Sequence, residues 1–188
     1  MISVFRKNDV ANIFLLLPYT ILLRLYSLLH PTIYQLNAID SVWIGSFYQL
    51  VDAPMVQSII AIVLVFSHAV IINLLGNRHH IFRTPSALGG MLYVLLASAI
   101  PELQVLSPAL IGVTFLLAAI YNVFKTYKQT MAASSIFNAA IFCTIAAIIY
   151  PPYFIAMITM FIGLTMMRNF KMVERLSLIH ISEPTRPY

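Results

Sequence analysis

Apolar residues fill this chain in long blocks separated by short polar turns. The block at residues 55–76 (MVQSIIAIVLVFSHAVIINLLG) sets the frame for the rest. Its 22 residues include no Asp, Glu, Lys or Arg. As a helix it reaches roughly 33 Å, enough for a hydrocarbon core about 30 Å thick. Five further apolar blocks occupy 10–29, 85–100, 105–124, 132–150 and 153–167. Pro18 lies inside the first and predicts a bend there. The block at 85–100 is short for a crossing. Pro101-Glu102-Leu103-Gln104 and Pro151-Pro152 break the chain between neighbouring blocks. The pattern predicts an all-α, polytopic membrane bundle of six transmembrane helices.

The long connection at 30–54 is patterned differently. Ile33, Leu36, Ile39, Trp43, Phe47 and Leu50 recur every three or four positions, which is one apolar face of a helix. Tyr34, Trp43 and Tyr48 are residue types that favour the headgroup level. The expectation is an amphipathic helical loop on the outer surface of the membrane. A loop packed over the top of the bundle is the alternative.

Composition agrees with the pattern. The chain is 61% hydrophobic and 9% charged, where a soluble domain has about 25% charged residues. Lipid is therefore expected as the outer solvent. A net charge of +5 raises the question of nucleic acid, but the placement of the charges argues against it. Six alternating crossings put Arg6, Lys7, Arg78, Arg83, Lys125, Lys128, Arg168, Lys171 and Arg175 on one side. The other side carries Asp40, Asp52 and Glu102 and no Lys or Arg. Basic loops stay in the cytoplasm, so the N-terminus is expected there, in a bacterial or organellar membrane. The partner implied is the bilayer.

Few residues offer chemistry, and no catalytic motif, cofactor motif or metal set is present. Arg24 lies inside the first block, roughly 8 Å below the outer surface at the helical rise. A basic residue in a span is costly. It either snorkels or pairs with Asp52 or Glu102, or it forms a site for an anionic group such as a lipid phosphate. Asp40 and Asp52 face outward on this topology and complete a candidate outer-face polar site with Arg24 and Glu102. His68 sits near mid-membrane, too deep to meet Arg24. It is a neutral histidine bonded to a neighbouring helix or part of a proton relay, and the six blocks contain no acid to serve such a relay. His79-His80 are adjacent, so on a helix their side chains diverge, which is poor geometry for chelation. Asn73, Asn122 and Asn138 lie near cytoplasmic helix ends, where they cap or link helices. Ala139, Cys143 and Ala147 form a stripe of small residues suited to close helix packing. Cys143 is the one cysteine and reads as a packing residue.

Two internal signals bear on organisation. Pro101 and Pro152, Ile111 and Ile162, Gly112 and Gly163, and Thr114 and Thr165 all share one offset. The last two hairpins are thus either copies of one unit or two uses of one design. The tail Ser177-Leu178-Ile179-His180-Ile181-Ser182-Glu183-Pro184-Thr185-Arg186-Pro187-Tyr188 resembles translated sequencing-adapter read-through. It is set aside as a non-native segment, 177–188, leaving a helical domain at 1–176 that is expected to continue in the native protein.

The segment Ser135-Ile136-Phe137-Asn138-Ala139-Ala140-Ile141-Phe142 through Tyr150 carries a resemblance. So do the opening Ser3-Val4-Phe5-Arg6-Lys7-Asn8 and the closing Arg168-Asn169-Phe170-Lys171-Met172-Val173-Glu174-Arg175-Leu176. Together they look like an uncharacterised family of Bacteroidota polytopic inner-membrane proteins. The resemblance implies a multi-pass location in the plasma membrane and no particular activity. The lack of a charged core fits a non-catalytic component or accessory subunit of envelope processes, in contact with other membrane proteins. The alternative is a fragment of a membrane glycosyltransferase or polymerase acting on lipid-linked sugars at the outer face. Its first-loop carboxylates and surface helices resemble the layout of polyprenyl-phosphate-dependent enzymes.

Overall fold

The computed structural model describes residues 10–32, 34, 48, 51, 53–79, 86–126 and 133–167. Among the described residues the chain is helical throughout and forms no strand. The elements are α1 (Val10–Leu23), α2 (Leu25–Leu29), α3 (Pro54–Arg78), α4 (Leu88–Ala99), α5 (Pro101–Gln104), α6 (Pro108–Thr126), α7 (Ala133–Ile149), a 3₁₀ turn (Pro151–Tyr153) and α8 (Phe154–Met167).

Proline sets most of the boundaries. Pro54 and Pro101 stand at helix starts, where the missing N–H would be unpaired in any case. Pro108 opens α6, and Ser107 Oγ accepts the Leu110 N–H at 3.2 Å as an N-cap. Regular helix runs through Pro18 and is interrupted instead at Arg24, whose backbone sits at φ −103°, ψ 11°.

Among the described residues two helices, α3 with 25 residues and α6 with 19, are long and apolar enough to cross a membrane. Six were expected. The others fall short for local reasons. α1 stops at Arg24, and α4 has only 12 residues, about 18 Å at the helical rise. The 17 residues of α7 reach about 26 Å.

α6 packs along α7, α3 lies against α4 and α6, α1 rests on α3 and α4, and α8 folds back on α7. Ala61, Val65 and Ala69 make a buried stripe at spacing four on α3, facing Val94 and Ala97 of α4. Side chains that small let backbones come close. On α7 the buried stripe is Ala139, Cys143 and Ala146, while Ala147 is only half-buried. The Cys143 thiol meets Met160 Sδ of α8 at 3.1 Å.

The helix ends sort into two groups. Arg78 Nη1 donates to Tyr121 Oη at 3.3 Å, and the His79 ring stacks on Phe124 with centroids 4.8 Å apart. The carboxyl ends of α3 and α6 therefore meet, bringing Arg78 and Lys125 to one end of the bundle. At the other end Ser58 Oγ reaches Ser27 O at 3.4 Å, joining the start of α3 to α2. The α4–α6 connection and the 3₁₀ turn lie there too, with Tyr153 Oη donating to Ala109 O at 2.9 Å.

Polar side chains share the interior with the apolar core, and many large apolar side chains are exposed. Thr20, Arg24, Ser27, Gln57, Ser58, His68 and Asn73 are buried. Leu22, Leu96, Phe137, Ile155 and Phe161 are each more than half exposed.

In the segment 30–54, Tyr48 is buried, its hydroxyl donates to Leu106 O, and its ring stacks on Tyr34 at 6.0 Å. Tyr48 is thus a core residue under the bundle top and not a headgroup anchor. Trp43 and the apolar face from Ile33 to Phe47 lie outside the described residues, as do Arg83, His80 and the tail.

The two glycines that share the repeat offset have different surroundings. A Cβ on Gly112 would stand 2.6 Å from Tyr153 Cε2, whereas one on Gly163 would meet nothing within 4 Å. The Tyr153 ring cannot swing clear while its hydroxyl holds Ala109 O. Gly112→Ala is expected to destabilise by about 1–3 kcal/mol. Gly163→Ala is expected to be neutral or to stabilise by up to about 1 kcal/mol through helix propensity. Melting midpoints of the two variants in one detergent, followed by circular dichroism, check the contrast.

Candidate functional site

The polar interior forms two clusters. The first surrounds Arg24. Its cause is a pair of prolines. In an unbroken helix Ala97 O would accept from residue 101 and Gln104 O from residue 108, but both positions are proline and have no N–H. Two carbonyls are left without helical donors at the bottom of a helix break. Arg24 supplies them. Its guanidinium donates to Gln104 O at 3.3 Å, to Ala97 O at 3.5 Å and to Leu103 O. Ser27 Oγ adds a bond to Gln104 O at 3.2 Å, and Gln104 Nε2 donates to Ser98 O at 2.6 Å. Carbonyls at helix carboxyl ends also carry partial negative charge, which favours a cation.

Arg24 is only 1% exposed, so it does not snorkel to solvent. Glu102 is exposed and forms no ion pair with Arg24 among the described residues. Of the expected outer-face grouping, Arg24 is directed at backbone and Glu102 is exposed. Asp40 and Asp52 lie outside the described residues. Gln57, which sequence reasoning passed over, joins this layer. It is 1% exposed and donates from Nε2 to Val51 O at 2.7 Å. Among the described residues Arg24 Nε and Gln57 Oε1 are buried without a partner.

The second cluster is centred on His68, which is fully buried. Nδ1 lies 2.9 Å from Tyr93 Oη and Nε2 lies 2.9 Å from Thr114 Oγ1. A neutral imidazole has one N–H and one lone pair. Two hydroxyls, each able to give or take a proton in a hydrogen bond, satisfy both. His68 thereby ties α3 to α4 and α6 at once. His68→Phe is expected to destabilise by about 1 kcal/mol, because it leaves both hydroxyls unpaired in a dry interior. Thr114→Val should cost less, and the double variant should be less than additive in a cycle of melting measurements.

Asn73 extends this chemistry toward the end that carries Arg78. Its Oδ1 accepts the Gly90 N–H at 2.7 Å, and Asn77 Oδ1 accepts the Ser86 N–H at 3.1 Å. Two amides on one face of α3 thus cap the start of α4 from outside, a task usually done by a local Ser, Thr or Asp. Asn122, by contrast, bonds Ala118 O of its own helix at 2.8 Å, and Asn138 is exposed. Among the described residues Asn73 is the one of the three that links helices.

None of these groups presents a nucleophile or a paired acid and base to a cleft. Among the described residues no three of His, Cys, Asp and Glu gather to hold a metal. Compared with known proteins, the chain matches no family profile, no curated sequence and no solved structure.

Proposed function

We propose that this chain is an integral inner-membrane protein with six crossings and a cytoplasmic N-terminus. On this reading it serves as a non-catalytic component or accessory subunit of envelope processes. The observation that carries the reading is the use made of Arg24. The most chemically capable side chain of the interior is consumed by backbone carbonyls at a helix break. His68 is consumed in the same way by two hydroxyls. A bundle that spends its polar interior on joining helices is a frame for other proteins.

The membrane part of the reading draws on the exposed apolar surface and on the meeting of Arg78 with the Tyr121 end of α6. Short helices such as α4 cross a bilayer by tilting little and by local thinning. The Bacteroidota family resemblance is compatible with this reading and adds no activity to it.

The enzyme alternative rests on Asp40 and Asp52. The purified chain is placed in liposomes with polyprenyl-phosphate-linked sugars, beside the variants Asp40→Asn and Asp52→Asn. The component reading expects no transfer or hydrolysis from any of the three. Turnover by the parent chain that disappears in Asp40→Asn or Asp52→Asn would establish the glycosyltransferase reading in its place.

A further inference from the structure

A groove of about 620 Å³ opens on the flank of the bundle between α3, α6 and α7. Its volume falls within the range of small-molecule sites, about 300–1,000 Å³. Its walls are apolar, formed by Ile71, Leu74, Leu117 and Phe142 among others. Thr114 lies on the wall, with its hydroxyl taken by His68. The polarity is concentrated where α3 and α6 end. There Arg78 donates to Tyr121 Oη at 3.3 Å and lies 5.9 Å from the centroid of the Tyr121 ring.

Arg78 is exposed, and from Ala53 to Val173 the sequence holds one acidic residue, Glu102. Glu102 belongs to the opposite end of the bundle, in the connection that Arg24 closes. Among the described residues no carboxylate lies at the mouth of the groove. An oily trough capped by a guanidinium that faces no carboxylate among the described residues matches an anionic amphiphile, with hydrocarbon along the walls and the acidic group at Arg78.

We infer that the groove between α3, α6 and α7 is a site for an anionic phospholipid of the cytoplasmic leaflet, with its phosphate held by Arg78 and an acyl chain lying along Leu74 and Phe142. The inference rests on the membrane reading above, since it takes the Arg78 end as the cytoplasmic one. The guanidinium offers a fork of N–H donors that suits phosphate oxygens. The Tyr121 ring beneath it limits the rotamers it must give up on binding. A zwitterionic lipid can fill the walls equally well but brings a cation of its own to Arg78. Selectivity for net negative charge therefore belongs to this one residue.

The test uses the full chain in phospholipid nanodiscs, with Trp43→Phe and Phe142→Trp as a groove reporter. A second chain carries Trp43→Phe and Phe137→Trp, since Phe137 is exposed and lies off the groove. Quenching is titrated with acyl-brominated phosphatidylglycerol and, separately, acyl-brominated phosphatidylcholine. The groove reporter should be half-quenched at about a fivefold lower mole fraction of the anionic lipid, the size expected from one basic residue at the surface. Arg78→Gln should abolish the preference, and Arg78→Lys should keep most of it. The Phe137→Trp reporter should respond equally to both lipids. Equal quenching of the groove reporter by both lipids would overturn the site while leaving the membrane reading in place. A preference untouched by Arg78→Gln would do the same. Absence of quenching of the Phe137→Trp reporter by either lipid would overturn the membrane reading, and this inference with it.

Discussion

Arg24→Gln lowers the unfolding free energy by about 3 kcal/mol, and position 24 is the polar position whose replacement is expected to cost most. Three backbone carbonyls lose a charged donor, and a bond to a charged group is worth about 1.5–3 kcal/mol. Relief of the arginine's own burial offsets part of that loss. Glutamine keeps an amide, but its shorter stem cannot span the break from α1 to the α5 carbonyls. Arg24→Leu should be worse, since it offers no donor at all. Arg24→Lys should fall between, as a single ammonium cannot serve three divergent acceptors.

The cause assigned to this effect is itself testable. Pro101→Ala restores an N–H opposite Ala97 O. In that background Arg24→Gln should cost less than in the parent, and a double-mutant cycle of melting free energies measures the difference. An Arg24→Leu protein that melts with the parent would show that the carbonyls do not need the guanidinium.

Gly90→Ala is the second large effect, about 3 kcal/mol at the upper end of what overpacking costs. An added Cβ would stand 2.5 Å from Asn73 Nδ2 and 2.6 Å from Ala69 O. The amide could turn away, but it would then release the Gly90 N–H that Oδ1 accepts. Ala69 O cannot turn, being backbone of α3. The α3–α4 contact must open, and the buried pairs of Ala61, Val65 and Ala69 with Val94 and Ala97 loosen with it. Asn73→Ala in the same background should recover only the part due to the amide. Full recovery by Asn73→Ala would contradict the assignment of the clash to the Ala69 carbonyl.

The helical fold class was legible because apolar blocks bounded by proline and charge leave little choice. Those same prolines carried information that the block pattern does not use. Pro101 and Pro108 strip the donors from the carbonyls of Ala97 and Gln104. A search for those missing donors would have pointed to Arg24 as their partner. Charge pairing pointed to Asp52 or Glu102 instead; Glu102 is exposed, and Asp52 lies outside the described residues. The bond of His68 to neighbouring helices followed from its depth, but its partners, Tyr93 and Thr114, depend on how α4 and α6 rotate. Rotation is decided by close approaches such as Gly90 on Ala69, which no spacing rule encodes. Gln57 was missed because an amide next to a helix start resembles any interfacial residue. The number of long spans was over-read, since residue counts between prolines ignore the turn that Arg24 interrupts and the residues lost at each end of α4.

The proposed membrane topology requires Glu102 and Lys125 on opposite faces of the bilayer. Single cysteines at these two positions, in a chain whose buried Cys143 is replaced by alanine, report on it directly. A membrane-impermeant maleimide is added to intact spheroplasts and, in parallel, to permeabilised ones. Glu102→Cys should label in both, and Lys125→Cys only after permeabilisation. Labelling of both cysteines in intact spheroplasts, or of neither, would contradict the account.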